Sequence, residues 1–137
     1  MKRPAISAAV LGTALLCACA APPYRIAPTD KTASVHFVKL ESPDICVSGH
    51  RFALTVDASG KVSVPAGRPV HLIGSYKDRS GHCLTAVKFV PEAGQAYEVV
   101  NDVRAERCIV NVMRHDAASQ YGLRVEPSVG ATYVCPV

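Results

Sequence analysis

The sequence predicts an all-β protein: an antiparallel β-sandwich of about seven to nine strands behind a cleaved signal peptide. Three observations carry this reading. Short runs of residues 34–135 alternate apolar and polar side chains with a period of two, as half-buried strands do. Turn signals built from Pro, Gly, Asp and Ser separate these runs at intervals of roughly 8–12 residues. No segment sustains a helical period.

The first element is the leader. Lys2 and Arg3 form a short positive region, and Ala5 to Leu16 is a run of twelve residues without charge. That suits a signal-peptide core and falls short of a spanning helix, which needs ~20 residues. Leu16-Cys17-Ala18-Cys19 closes the run. It resembles a lipobox, with an aliphatic residue three before the modified cysteine and a small one directly before it. Cys19 is the expected lipidation site. Cys17 fits worse, because bulky Leu16 precedes it. The resemblance implies a lipid anchor in the membrane. Ala20, not aspartate, follows the cysteine, which implies the outer membrane with the domain facing the periplasm.

Cutting before Cys19 removes 18 of the 137 residues and leaves 119, enough for one domain with its own core. With Lys2 and Arg3 gone, 13 basic and 11 acidic side chains remain, a net of +2. No basic stripe exists and aromatic residues are few, so no nucleic-acid partner is expected. Residues 19–33 hold Pro22, Pro23 and Pro28 among small and polar residues. They read as a lipidated cysteine and flexible tether. Residues 34–137 read as the sandwich.

Within it, Val35, Phe37, Val38 and Leu40 mark a first strand over Ser34–Glu41, which Ser42-Pro43-Asp44 breaks. Cys46 opens the next segment. Phe52, Leu54 and Val56 alternate with Arg51, Ala53, Thr55 and Asp57, and Ala58-Ser59-Gly60 turns the chain. Val62 and Val64 form a short strand ended by Pro65-Ala66-Gly67. Val70, Leu72 and Tyr76 share a face, and Lys77–Gly81 reads as a charged loop tip. Cys83, Thr85, Val87 and Phe89 share the next face before the Pro91–Gly94 turn. Tyr97, Val99 and Val100 lie in the following strand. Asp102–Glu106 reads as a polar loop, and Cys108, Val110 and Val112 face together after it. His115–Gln120 is a polar break. Tyr121–Val125 and Ala131–Cys135 end the chain. Trp is absent. The sandwich is therefore expected within the broad immunoglobulin/transthyretin-like class, without the Cys…Trp…Cys core of antibody domains.

Cys46, Cys83, Cys108 and Cys135 remain after processing. An even number in an exported chain reads as two disulfides, and three connectivities are open. Their wide spacing is unlike the close ligand pairs of zinc sites. Cys83–Cys108 with Cys46–Cys135 is favoured, because Cys83 and Cys108 both face inward at one end of the sheet. If one strand lay between them in a single sheet, they would stand ~9.6 Å apart. A disulfide spans Cα atoms at up to ~7 Å. The pairing therefore requires a bulge or a strand that moves to the facing sheet.

Three phrases carry a further likeness: Val-Pro-Ala-Gly-Arg-Pro-Val (64–70), Phe-Val-Pro-Glu-Ala-Gly-Gln-Ala-Tyr-Glu-Val (89–99) and Arg-Cys-Ile-Val-Asn-Val (107–112). They resemble small proteobacterial outer-membrane lipoproteins of unknown function in which a β-sandwich follows a lipobox. The resemblance implies fold and location and supplies no catalytic or binding residue.

The remaining chemistry is sparse. His36, His50, His71, His82 and His115 show no helical ligand spacing. His50, His82 and Asp44 could converge at a strand end, but no metal site or cofactor is expected. There is no G-x-S-x-G elbow and no glycine-rich phosphate loop. Oxidised cysteines are not nucleophiles. The protein is expected not to be an enzyme. The candidate binding surface is the charged tip Lys77, Asp78, Arg79 and His82, with Arg104 and Arg107 expected at the same end. The function expected is a periplasm-facing lipoprotein that binds another envelope protein or has a structural role there. The alternative is a periplasmic inhibitor or immunity protein against an envelope-acting enzyme or toxin.

Overall fold

A computed structural model describes residues 20–79, 81–104, 107–132 and 135. Residues 1–19, on which the expected signal peptide and lipidation at Cys19 fall, lie outside the described residues. Ten strands follow in order: β1 (Thr32–Val38), β2 (Glu41–Val47), β3 (His50–Ala53), β4 (Lys61–Pro65), β5 (Val70–Asp78), β6 (Gly81–Phe89), β7 (Ala96–Arg104), β8 (Arg107–His115), β9 (Leu123–Val125) and the two-residue β10 (Gly130–Ala131). They form two sheets, ordered β4-β1-β7-β8-β9 and β10-β6-β5-β2-β3. The β-sandwich read from the period-2 runs is the fold. Among the described residues no helix is long and apolar enough to cross a membrane.

The alternation explains the core. Ala33, Val35 and Phe37 of β1 face Val62 and Val64 of β4, Tyr97 and Val99 of β7 and Val112 of β8 along one inner surface. Ile45, Val70, Leu72, Val87 and Phe89 line the other. Each buried Val, Leu, Ile or Phe among them contributes ~1.5–3 kcal/mol. Phe89 and Tyr97 meet edge-on across the two sheets, with centroids 5.1 Å apart and planes at 60°. The Tyr97 hydroxyl accepts the Glu92 N–H at 2.9 Å, so the phenol is buried with a partner. Burial holds its pKa above the usual value.

The structure departs from the sequence reading in five places. First, the β1–β7 pair is parallel. β1 pairs with residues 62 positions later (Ser34 with Ala96), and local alternation carries no sign of which strand pairs with which. Second, Ser42-Pro43 does not end a strand. The turn lies at Lys39–Leu40, and Ser42-Pro43 forms an irregularity inside β2, where register slips between Glu41 and Asp44. Ser42 takes φ 48°, and a bulge is where an internal strand tolerates a proline. Third, the strand expected from Phe52 onward is β3, which ends at Ala53. Leu54 is buried but Val56 is exposed, so the alternation overran the strand.

Fourth, the segment expected to be a tether is docked. Pro23 bridges Ala53 in parallel; Tyr24 N–H donates to the Ala53 carbonyl and Ala53 N–H to that of Pro22, each at 2.8 Å. The Tyr24 ring sits edge-on to Phe52, with centroids 5.9 Å apart. Fifth, the polar stretches at 77–81 and 102–106 are mostly strand. β5 and β6 stay paired out to Asp78 and Gly81, and β7 and β8 out to Arg104 and Arg107.

Candidate functional site

The two long hairpins belong to different sheets. After Phe89 the chain passes through Pro91–Gly94 and re-enters as β7 on the facing sheet, with Gly94 at φ 74° and its N–H on the Thr32 carbonyl. Cys83 and Cys108 therefore face each other across the sandwich. They are disulfide-bonded with Cα atoms 5.9 Å apart. Facing sheets ordinarily stand ~10 Å apart. The bridge thus pinches β6 against β8 at one corner. Cys46 is bonded to Cys135 with Cα atoms 5.1 Å apart. That bridge ties the C-terminal segment to the outer face of the other sheet, where His71 Nδ1 also meets Thr132 Oγ1 at 3.0 Å. Burial, then the charge of Lys88, lowers the His71 pKa.

The first bridge gathers the candidate charged residues at one end. Lys77, Arg79 and His82 lie on the β5–β6 hairpin, and Arg104 and Arg107 on the β7–β8 hairpin, all exposed. The Asp78 backbone pairs with Gly81; its side chain lies outside the description. Arg104 is held by Asp102 at 2.6 Å. The same end lacks any convergence of His50, His82 and Asp44. His50 pairs with Val47 and His82 with Lys77, which puts them at opposite ends of the sheet. Asp44 is engaged by Arg51. Among the described residues no three His, Cys, Asp or Glu side chains gather as a metal site.

Beside the bridge, between β6 and β8, lies an open cleft of about 420 Å³. Its walls are residues 84–87 of β6, Cys108 and Val110 of β8, and Val129–Gly130 of the segment entering β10. Consecutive β6 residues line it, so that wall is a strand edge and not one strand face. β10 covers the β6 edge only at Val87 and Lys88. β9 covers the β8 edge only from Met113 to His115.

The direction of the free β8 groups follows from one bond. The Val112 carbonyl accepts the Glu126 N–H at 2.9 Å, on the side away from β7. In an antiparallel strand the N–H and C=O of one residue point the same way and alternate along the chain. Val110 and Cys108 therefore also turn their N–H and C=O outward. Among the described residues no backbone group meets them.

Sequence reading missed one neighbour of this cleft. Asn101 falls between the strand read to Val100 and the polar loop read from Asp102; it lies in β7 and pairs with Val110. Its side chain lies on the inner surface and is 3% exposed. Neither its carboxamide oxygen nor its nitrogen has a partner among the described residues. The signal was present: Tyr97, Val99, residue 101 and Val103 continue one inward alternation. Thr85, also buried at this end, donates to the Gly74 carbonyl at 3.2 Å.

Compared with family models, curated proteins and solved structures, the chain gives no match to any of the three.

Proposed function

We propose that the protein is a non-enzymatic, lipid-anchored envelope protein that faces the periplasm and binds another protein at the β6–β8 edge. The observation that carries this reading is the placement of two features on opposite edges. The chain enters along β3, where Pro22 and Tyr24 are bonded to Ala53. The cleft opens beyond β6, three strands away in the same sheet, about 14 Å across.

Lipid on Cys19 would leave three Cα–Cα steps to Pro22, a reach of at most ~11 Å. The β3 edge would then rest near the membrane and the cleft would look away from it. Three acyl chains would make such an anchor effectively permanent, since each buried CH₂ contributes ~0.8 kcal/mol. The likeness of residues 16–19 to a lipobox supports the same address.

Cys19→Ala tests the anchor. The variant is expected in the soluble fraction with its mass reduced by the lipid; a protein still membrane-bound and unshifted in mass refutes it. A photocrosslinking residue at exposed Ile109, between the lining residues Cys108 and Val110 on the β8 edge, tests the binding surface in intact cells. A discrete adduct is expected from Ile109 and none from exposed Tyr121. Equal labelling at both positions, or none, refutes the binding reading.

A further inference from the structure

We infer that the cleft takes an extended, acidic segment of a partner protein as an added strand on β8, in line with β9. The inference rests on the protein-binding reading of the same cleft and adds what kind of segment binds and how. Three independent features meet there.

The first is backbone chemistry. Cys108 and Val110 direct their N–H and C=O groups outward with no backbone partner among the described residues, while Val112 beyond them is already occupied by Glu126. A small molecule leaves most of such a row unused. A second extended backbone matches it in spacing and polarity. From Arg107 to Asn111 the open edge runs ~17 Å, room for about five residues.

The second is the cleft floor. Side chains of an added strand point alternately to the two faces of the sheet. Those pointing inward meet Val87, Val110 and Val129. Asn101 lies on the same inner surface beside Val110, with its carboxamide unpaired. The Cys83–Cys108 bridge fixes the two walls before binding, which lowers the ordering cost.

The third is charge. β8 carries Arg107, Arg114 and His115 and no acidic residue. Arg114 and His115 are already turned to Glu92 and Glu98. Arg107 is exposed at the open end and has no ion-pair partner among the described residues. Exposed Lys77 and Arg79 stand on the neighbouring hairpin. An acidic side chain near one end of the added strand meets this group. The same charges disfavour a second copy of β8 as the occupant, because like charges across a strand pair repel.

The test uses the lipidated full chain in nanodiscs and a displayed library of random twelve-residue peptides. Enriched peptides are expected to alternate apolar and polar residues and to carry Asp or Glu. Their affinity is expected to fall about ten-fold or more in Val110→Pro, which deletes an outward N–H, and in Arg107→Glu, but not in Tyr121→Ser. Far-ultraviolet circular dichroism shows whether Val110→Pro keeps its strands. If it does not, Arg107→Glu alone decides. No enrichment, or peptides that bind Arg107→Glu as tightly as the parent, overturns the inference. A dimer of the full chain that Arg107→Glu strengthens or leaves intact and Val110→Pro dissolves assigns the edge to a second copy and overturns it too. Loss of lipidation at Cys19 would sink the anchor reading and leave this outcome readable on its own.

Discussion

Removing the Cys83–Cys108 bridge should destabilise the protein by about 3.5 kcal/mol. The bridge joins residues 25 apart in sequence. On the loop-entropy relation a closed loop of that size removes ~12 cal/mol/K from the unfolded chain, which gives about 3.5 kcal/mol at 25 °C. The paired variant Cys83→Ala/Cys108→Ala leaves no free thiol to confuse the comparison. Urea titration of parent and variant, both otherwise oxidised, reads the difference. With a slope of ~1.5 kcal/mol/M the midpoint should fall by roughly 2 M. The slope should rise, because the uncrosslinked unfolded chain exposes more surface. Hydrogen exchange should speed up first at Ile109 and Thr85, which pair with Asp102 and Gly74 next to the released corner. A midpoint shift below ~0.5 M would refute the argument: the two sheets would then be held at that corner by packing alone. The Cys46–Cys135 bridge offers an internal control. Its separation of 89 predicts about 4.6 kcal/mol. That applies only if the C-terminal segment unfolds with the domain. If the segment detaches on its own, the measured loss is smaller and exchange quickens only near Thr132 and Gly130.

Two further predictions concern packing and pH. A Cβ at Gly74 would clash with Leu40 Cδ2 and lie 3.2 Å from its Cγ. Gly74→Ala should therefore cost ~1–3 kcal/mol, and Leu40→Ala in the same chain should recover part of it; strictly additive losses by urea titration would refute the contact. His71 has its pKa lowered by burial and by Lys88. The folded state thus holds its proton less tightly than the unfolded state. The associated stability is present above the ordinary histidine pKa of ~6.5 and is lost as pH falls toward the folded value. Melting temperature should drop between pH 7 and pH 5 in the parent and drop less in His71→Gln; equal slopes would refute a role for His71.

The sequence by itself determined the fold class, because period-2 burial is a local property. Residues 62–64, 70–76, 83–89 and 108–112 alternate in the sequence, and each run lies inside an observed strand. It also favoured the pairings Cys83–Cys108 and Cys46–Cys135, and both are present; Cys83 is buried as expected, whereas Cys108 is exposed. The Pro91–Gly94 turn was legible, but its destination was not. The same four residues can fold a strand back beside its neighbour or carry it to the facing sheet, and the choice depends on burial gained far away. Only the tertiary structure decided that β7 changes sheet. That move removes the intervening strand between Cys83 and Cys108 and opens the cleft beside them.

The other features decided in three dimensions share that cause. The parallel β1–β7 pair, the docking of Pro22–Tyr24 on β3 and the inward Asn101 all depend on contacts between residues distant in sequence. The charged tip was found from its residues. The unpaired edge behind it was not, since an edge is defined by the absence of a neighbour, and a sequence does not show which strands lack one.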